Sequence, residues 1–232
     1  LFRSSFDAVK ASLAKGLEKE GKIDVMVDPG QRLIMIRDNG QGMTPKVIRD
    51  AFLTIAGTSK EGLDSGDASG GFGMAKAAFL LGNERIWVRT SKNGTRTTFE
   101  ANGSEIFSKD IDMLQESVPK DEHGTTIVVK VPKTVPSESG EREVWFPYDA
   151  SAVEFFNKPM LNPNIEVNFA HMGYSFNADP ESLLDPNSEE SERVDSKLEP
   201  VSLAKNFDLS GYHKEATANF DWGSAEIGRA HV

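Results

Sequence analysis

The dipeptide Asn93-Gly94 sits between two β-rich runs, Arg85–Thr90 and Thr95–Glu100. A two-residue link between strands needs positive φ at both positions, which Asn and Gly tolerate at little cost and which matches the twist of paired strands. This segment is therefore committed to an antiparallel hairpin. A second pair of runs, Ile23–Val27 and Leu33–Arg37, flanks Asp28-Pro29-Gly30-Gln31, where Pro and Gly supply the turn. Thr125–Val131 and Ile165–Phe169 read as further strands.

Helical patterns alternate with these strands. Residues 1–20 place Phe2, Phe6, Val9 and Leu13 on one stripe, with Lys and Glu opposite. Thr44 is an N-cap with Pro45 at the first helical position, opening a helix whose Val47, Ile48, Ala51, Phe52 and Ile55 form an apolar face. Ala75–Leu81 and Asp149–Asn157 read as helices. Strands and helices in this arrangement predict a two-layer α/β sandwich.

Between the second helix and Ala75 the pattern breaks. Gly57 to Gly73 holds six glycines with Thr58, Ser59, Ser65 and Ser69, a composition too flexible for a regular element. A long loop or lid is the expectation. The stretch 185–199 is acidic and reads as a linker after a domain spanning 1–180, and 200–225 as the start of a second domain. Both ends look cut. Leu1 already lies inside a helical pattern, and the last seven residues, Glu226 to Val232, resemble the translation of a common short-read sequencing adapter, so 226–232 is set aside as a non-native tail.

Composition closes several function classes. No apolar run approaches the roughly 20 residues that span a bilayer, so no membrane role is expected. With no cysteine there is neither a disulfide nor a thiolate metal site, which fits a cytoplasmic setting. A net charge of −10 argues against a broad nucleic-acid face, whose affinity comes from Lys and Arg on phosphates. No window supplies the Gly-x-x-x-x-Gly-Lys-Ser/Thr phosphate loop, and a dinucleotide fingerprint fails at its third glycine, at Pro45 and again at Lys76. His123, His171, His213 and His231 are scattered without metal-ligand spacing and read as surface or structural residues.

Three short segments carry chemistry. Asp38-Asn39-Gly40-Gln41-Gly42-Met43 ends a hydrophobic strand; a carboxylate there can accept from an adenine amino group while the glycines let the backbone approach the base. Gly70-Gly71-Phe72-Gly73-Met74-Ala75-Lys76 joins the glycine-rich loop to a helix, whose free amides and dipole suit triphosphate oxygens; Lys76 adds a cation. His123-Gly124-Thr125-Thr126-Ile127 leads a strand with a hydroxyl. Taken singly, these read equally as an Asp-Asn-Gly turn, a glycine linker and an ordinary strand start.

Together, in this order and some thirty and then some fifty residues apart, they resemble the GHKL (Bergerat-fold) ATP-binding domains. That class includes the ninety-kilodalton heat-shock chaperones, MutL-type mismatch-repair proteins, type II topoisomerases and sensor histidine kinases. The resemblance covers residues 1–135 well, and Gly57-Thr58-Ser59-Lys60 favours the chaperone and MutL branch. It implies a mixed, mostly antiparallel sheet with helices on one face. It also implies ATP with Mg²⁺ as cofactors, Asp38 reading adenine, Thr125 completing the pocket and Asp7 at the nucleotide. Asp7-Ala8 match the end of the family's first helix motif, which puts Ser4 at the metal-binding Asn position and the water-activating Glu one residue before Leu1. No catalytic residue is therefore assigned within the chain. Ala75 stands where a third family glycine is usual. The function that the resemblance implies is that of an ATPase whose lid closes over nucleotide and drives dimerisation or domain movement. The alternative is a non-hydrolysing nucleotide switch or a chaperone-like interaction module.

Overall fold

The structure, a computed structural model, describes residues 2–54, 80–107, 110–146 and 164–201. Helix α1 (Phe2–Ala14) opens the chain. Phe6 and Val9 are buried and Leu13 packs against the same core, as the stripe predicts. The helix stops before residue 20 because Gly16 takes φ +66° and the Leu17 amide reaches back to the Ser12 carbonyl, a glycine C-cap. Strands β1 (Gly21–Asp28) and β2 (Leu33–Asp38) form the expected hairpin. Its turn is built differently from the Pro-Gly expectation, since Asp28 Oδ1 accepts from the Gly30 and Gln31 amides and the positive φ falls on Arg32. The Arg32 guanidinium is buried and donates to the carbonyls of Val131, Pro132 and Val144.

Thr44 caps α2 (Pro45–Val47) by accepting from the Val47 amide, and a π-helical turn, Ile48–Phe52, continues it. Strands β3 (Arg85–Lys92) and β4 (Thr95–Asn102) turn through Asn93 at φ 54° and Gly94 at φ 80°, the geometry their sequence demanded. Then come β5 (Leu114–Ser117), β6 (Gly124–Lys130), a separate exposed hairpin of β7 (Thr134–Ser137) and β8 (Gly140–Glu143), and β9 (Ile165–His171). The chain continues through α3 (Pro180–Leu184), α4 (Glu189–Asp195) and β10 (Glu199–Pro200).

The main sheet has eight strands in the order β10-β9-β1-β2-β6-β3-β4-β5, with β1 and β9 parallel and the other pairs antiparallel. It is a mixed, mostly antiparallel sheet with helices, an α/β fold. Alternation divides its core in two. Val25, Val27, Ile36, Val88, Ile127 and Val129 point to the face covered by α1 and the π turn. Met26, Leu33, Met35, Trp87 and Val128 point to the other, where Leu183, Leu184 and Val194 cover them.

The opposite face is therefore covered too, by α3 and α4, in addition to the single helical layer expected from the sequence. The stretch 185–199, expected to be a linker, supplies the α4 part of that second cover. Its acidity hid an N-cap at Ser188 that holds the Ser191 amide and a buried Val194, while Asp179 caps α3 by accepting from the Glu181 amide. Among the described residues no helix is long and apolar enough to cross a membrane.

Candidate functional site

Asp38 is the last residue of β2, and period-2 alternation turns it toward α1, on the face of Ile36. It is only 7% exposed. Hydrogen bonds come from the Ser5 hydroxyl on α1 and from the backbone amides of Gly40, at 3.0 Å, and Thr125. Burial outweighs them and pushes the carboxyl up to about 6, although the Ser5, Gly40 and Thr125 bonds and the nearby His123 all pull the other way. A buried carboxyl raised this far beside a loop is a functional-site candidate.

The loop after Asp38 is pressed flat against α1. A methyl group at Gly40 would meet the Ala8 Cβ at 2.7 Å, and the Gln41 amide donates to the Ala8 carbonyl. Gly42 takes φ +63° with its α-carbon against the Ser91 carbonyl, where a side chain would lie 1.9 Å from that oxygen. Both glycines are thus dictated by close backbone approach. The Met43 amide donates to Thr90 Oγ1 at 2.9 Å, and Met43 itself packs on the core.

Register brings the third motif to the first. Thr125 pairs with Asp38 on one side and with Thr90 on the other. Thr90 Oγ1 lies 3.1 Å from the Gly124 carbonyl and 3.0 Å from Thr125 Oγ1. One hydroxyl proton serves each oxygen, so Thr90 donates to Gly124 and Thr125 donates to Thr90, which leaves the Thr125 lone pairs for an incoming donor. Ser5 and Thr90 belong to this cluster, and neither lies in a motif. Thr90 becomes legible only once it is known which strand lies beside β6.

Asp7, half-buried, and the exposed Ser4 lie one turn apart on α1, next to Ala8 and Ser5. Thr58, Ser59, Lys60, Gly70, Gly71, Phe72, Gly73, Met74, Ala75 and Lys76 fall outside the described residues. A cavity of about 660 Å³ opens at the other end of the same strands, beside Arg32, Glu84 and Lys130. It is not the site. The Arg32 guanidinium is held by three carbonyls there and Lys130 pairs with Glu84 at 3.4 Å, so its polar groups serve the fold.

A family model described as histidine kinase-, DNA gyrase B-, and HSP90-like ATPase matches residues 5–129, more than half of the chain. The chain belongs to this ATPase family. The match spans α1 through β6 and so includes Asp38, the Gly40–Met43 loop, Thr90 and Thr125. Among solved structures, the ATPase domain is similar to the topoisomerase IV ATP-binding domain of Francisella tularensis, solved with a small-molecule inhibitor. The two are 15% identical over 73% of this chain and 78% of that one, with a TM-score of 0.42. A search of curated proteins found no match. Membership in an ATPase family makes adenine nucleotide the ligand class, and the buried acceptors of Asp38 and Thr125 are of the chemistry that class requires.

Proposed function

We propose that the domain binds ATP with Asp38 as the adenine acceptor, and that the protein hydrolyses it in a cycle of lid closure and dimerisation. The observation that carries the reading is the Asp38 carboxyl, buried beside Thr125 and raised to about 6. A group held at that cost gains most from a ligand that donates to it. Thr125, with acceptor capacity left over, is the second contact. Asp7, Gly40, Gly42 and Met43 line the base and ribose side, and Gly70–Lys76 and Thr58–Lys60 take the phosphates. The segment 57–73 is the lid. The Gly57-Thr58-Ser59-Lys60 stretch supports placement in the chaperone and MutL branch, with the ATPase domain running on past 180 through α4 to β10 and a further domain beginning beyond 200.

Mg²⁺ fits this arrangement as a shared ion. Among the described residues no group of three or more His, Asp or Glu could hold a metal. Ser4, exposed in the first turn of α1, offers one hard oxygen. Mg²⁺ keeps several waters and is commonly held by few protein oxygens together with substrate phosphates. When bound, it would neutralise phosphate charge; Ser4 would hold it, Asp38 would fix the base, and the segment Gly73–Lys76 would orient the phosphates.

The weaker ligand at Ser4, where the family pattern has Asn, supports a second reading, a nucleotide switch that turns over slowly. Calorimetry with ADP on wild type and Asp38→Asn tests the first claim, and equal affinities would reduce the motif to a turn. Hydrogen exchange in 57–73 should slow with an ATP analogue; unchanged exchange would remove the lid. ATPase assays, with affinity held as the control, separate enzyme from switch.

A further inference from the structure

His123 stands just before Gly124-Thr125, and its ring reaches two other segments. Nδ1 lies 2.8 Å from the Gly40 carbonyl, and Nε2 lies 3.4 Å from Glu18 Oε1, beyond the end of α1. A carbonyl only accepts, so Nδ1 carries the proton in this contact and the tautomer is fixed. The side chain is 12% exposed, which shields the bond from water. The second link continues inward. The Gly40 amide, on the same residue that His123 holds by its carbonyl, donates to Asp38 Oδ1 at 3.0 Å. Glu18, His123, Gly40 and Asp38 thus form one line from the surface to the buried acid.

We propose that His123 is a positioning residue for base recognition: by fixing Gly40 it keeps the Asp38 carboxylate aimed at an adenine-class donor. This rests on Asp38 reading the base. The charged groups facing the ring are Glu18, from the segment after α1, and Asp38, from the end of β2. Nδ1 donates to the Gly40 carbonyl and so holds Gly40 where its amide meets Asp38 Oδ1. That amide is one of the bonds that pull the Asp38 carboxyl down, so a loosened Gly40 lets it rise.

Two substitutions test the aim. His123→Gln keeps an N–H for Gly40, and His123→Ala removes it. Adenosine is the probe, because it has no phosphate that titrates near neutrality. In the intact chain, His123→Ala is expected to weaken adenosine binding roughly three- to tenfold at neutral pH, as loss of one buried hydrogen bond does. His123→Gln should bind within about twofold of wild type at pH 8. Carbon NMR titration of the Asp38 carboxyl in the free protein provides a readout that needs no ligand, and its midpoint should rise in His123→Ala and rise less in His123→Gln. Wild-type affinity in His123→Ala would overturn the proposal, and so would equal losses in both variants with an unmoved midpoint, the mark of a ring that only fills space. Asp38→Asn is the control for the underlying reading. If it binds adenosine as wild type does, that reading fails; if it loses binding while the His123 variants behave normally, only the positioning role fails.

Discussion

Two adjacent rows of residues cross the same strands and end up on opposite faces of the sheet. On the α1 face the row is Ile23, Asp38, Thr125, Thr90 and Thr97; one residue along, on the α3–α4 face, it is Asn168, Asp24, Arg37, Thr126, Arg89 and Thr98. Both rows bury an acid. Asp24 is 2% exposed, but Arg37 donates to it from Nε and Nη2, Asn168 donates to it at 3.0 Å, and Lys22 lies at 3.3 Å. Arg37 also pairs with Asp195 at the end of α4, and Arg89 donates to the Leu184 carbonyl and Asp185 at 3.0 Å after α3. Burial pulls the Arg37 guanidinium down, yet the bonds and charges of Asp195 and Asp24 together raise it, and the Asn187 amide with Arg89 holds the Asp185 carboxyl below its usual range. Among the described residues Asp38 has no cationic side chain bonded to it, only a hydroxyl and two amides, with His123 nearby. One face closes its electrostatics within the fold and latches the α3–α4 cover, while the other holds its buried carboxyl with neutral donors.

The comparison breaks most sharply through the closed face. Asp24→Ala leaves a largely buried guanidinium facing the sheet with Asp195 as its one remaining bonded carboxylate, and should cost about 3 kcal/mol of stability while leaving the adenosine affinity of the folded protein unchanged. Urea unfolding and calorimetry on one sample check both halves. If affinity collapses with stability, the two faces are not separable. Asp38→Asn should do the reverse, weakening adenosine at least tenfold, on the order of 1–3 kcal/mol for an acceptor replaced by a mixed amide, with no loss of fold.

A finer test uses pH. The Asp38 carboxyl ordinarily titrates near 3.8 and in the fold near 6, so between those values the folded chain holds the proton more tightly than the unfolded chain. Stability from this group therefore falls as pH rises through that window and is lowest above it. Asp38→Asn should remove the decline, gaining about 1–3 kcal/mol on wild type at pH 7.5 and little at pH 4. Urea midpoints at the two pH values give the result, and a variant that gains equally at both would show that the carboxyl is not desolvated. The smallest effect belongs to the latch. Asp195→Asn removes an exposed partner of Arg37 and should change stability by less than about 1 kcal/mol, detectable instead as faster hydrogen exchange in α4. An unchanged exchange rate would mean that Val194 and Ser191 hold the helix without the ion pair.

Much of this was legible in the residues. The Asn93-Gly94 hairpin, the Thr44-Pro45 helix start and the alternation in β2 and β6 each follow from local chemistry, and each formed where it was expected. The acid of the first motif and the hydroxyl of the third were evident from their types. Part of the cover on the second face was missed because Asp185 to Glu199 is charged by composition and its buried side chains are few, so average polarity concealed the capped helix α4. Arg32 was missed as a fold residue because a positive φ on arginine is justified only by the carbonyls of Val131, Pro132 and Val144, a hundred residues away in the chain.

The sequence by itself determined the set of elements and the chemistry each motif carries, since propensity, caps and period-2 alternation act over a few residues at a time. Which face each residue reached was decided by tertiary structure. Register between strands far apart in the chain put Thr90 beside Thr125, turned Asp38 toward Ser5, sent Arg37 and Arg89 to the opposite side, and brought His123 onto the Gly40 carbonyl. A slip of one residue would exchange the two rows. Only the packing of α1 on one face and of α3 and α4 on the other, each burying its own apolar side chains, fixes that choice.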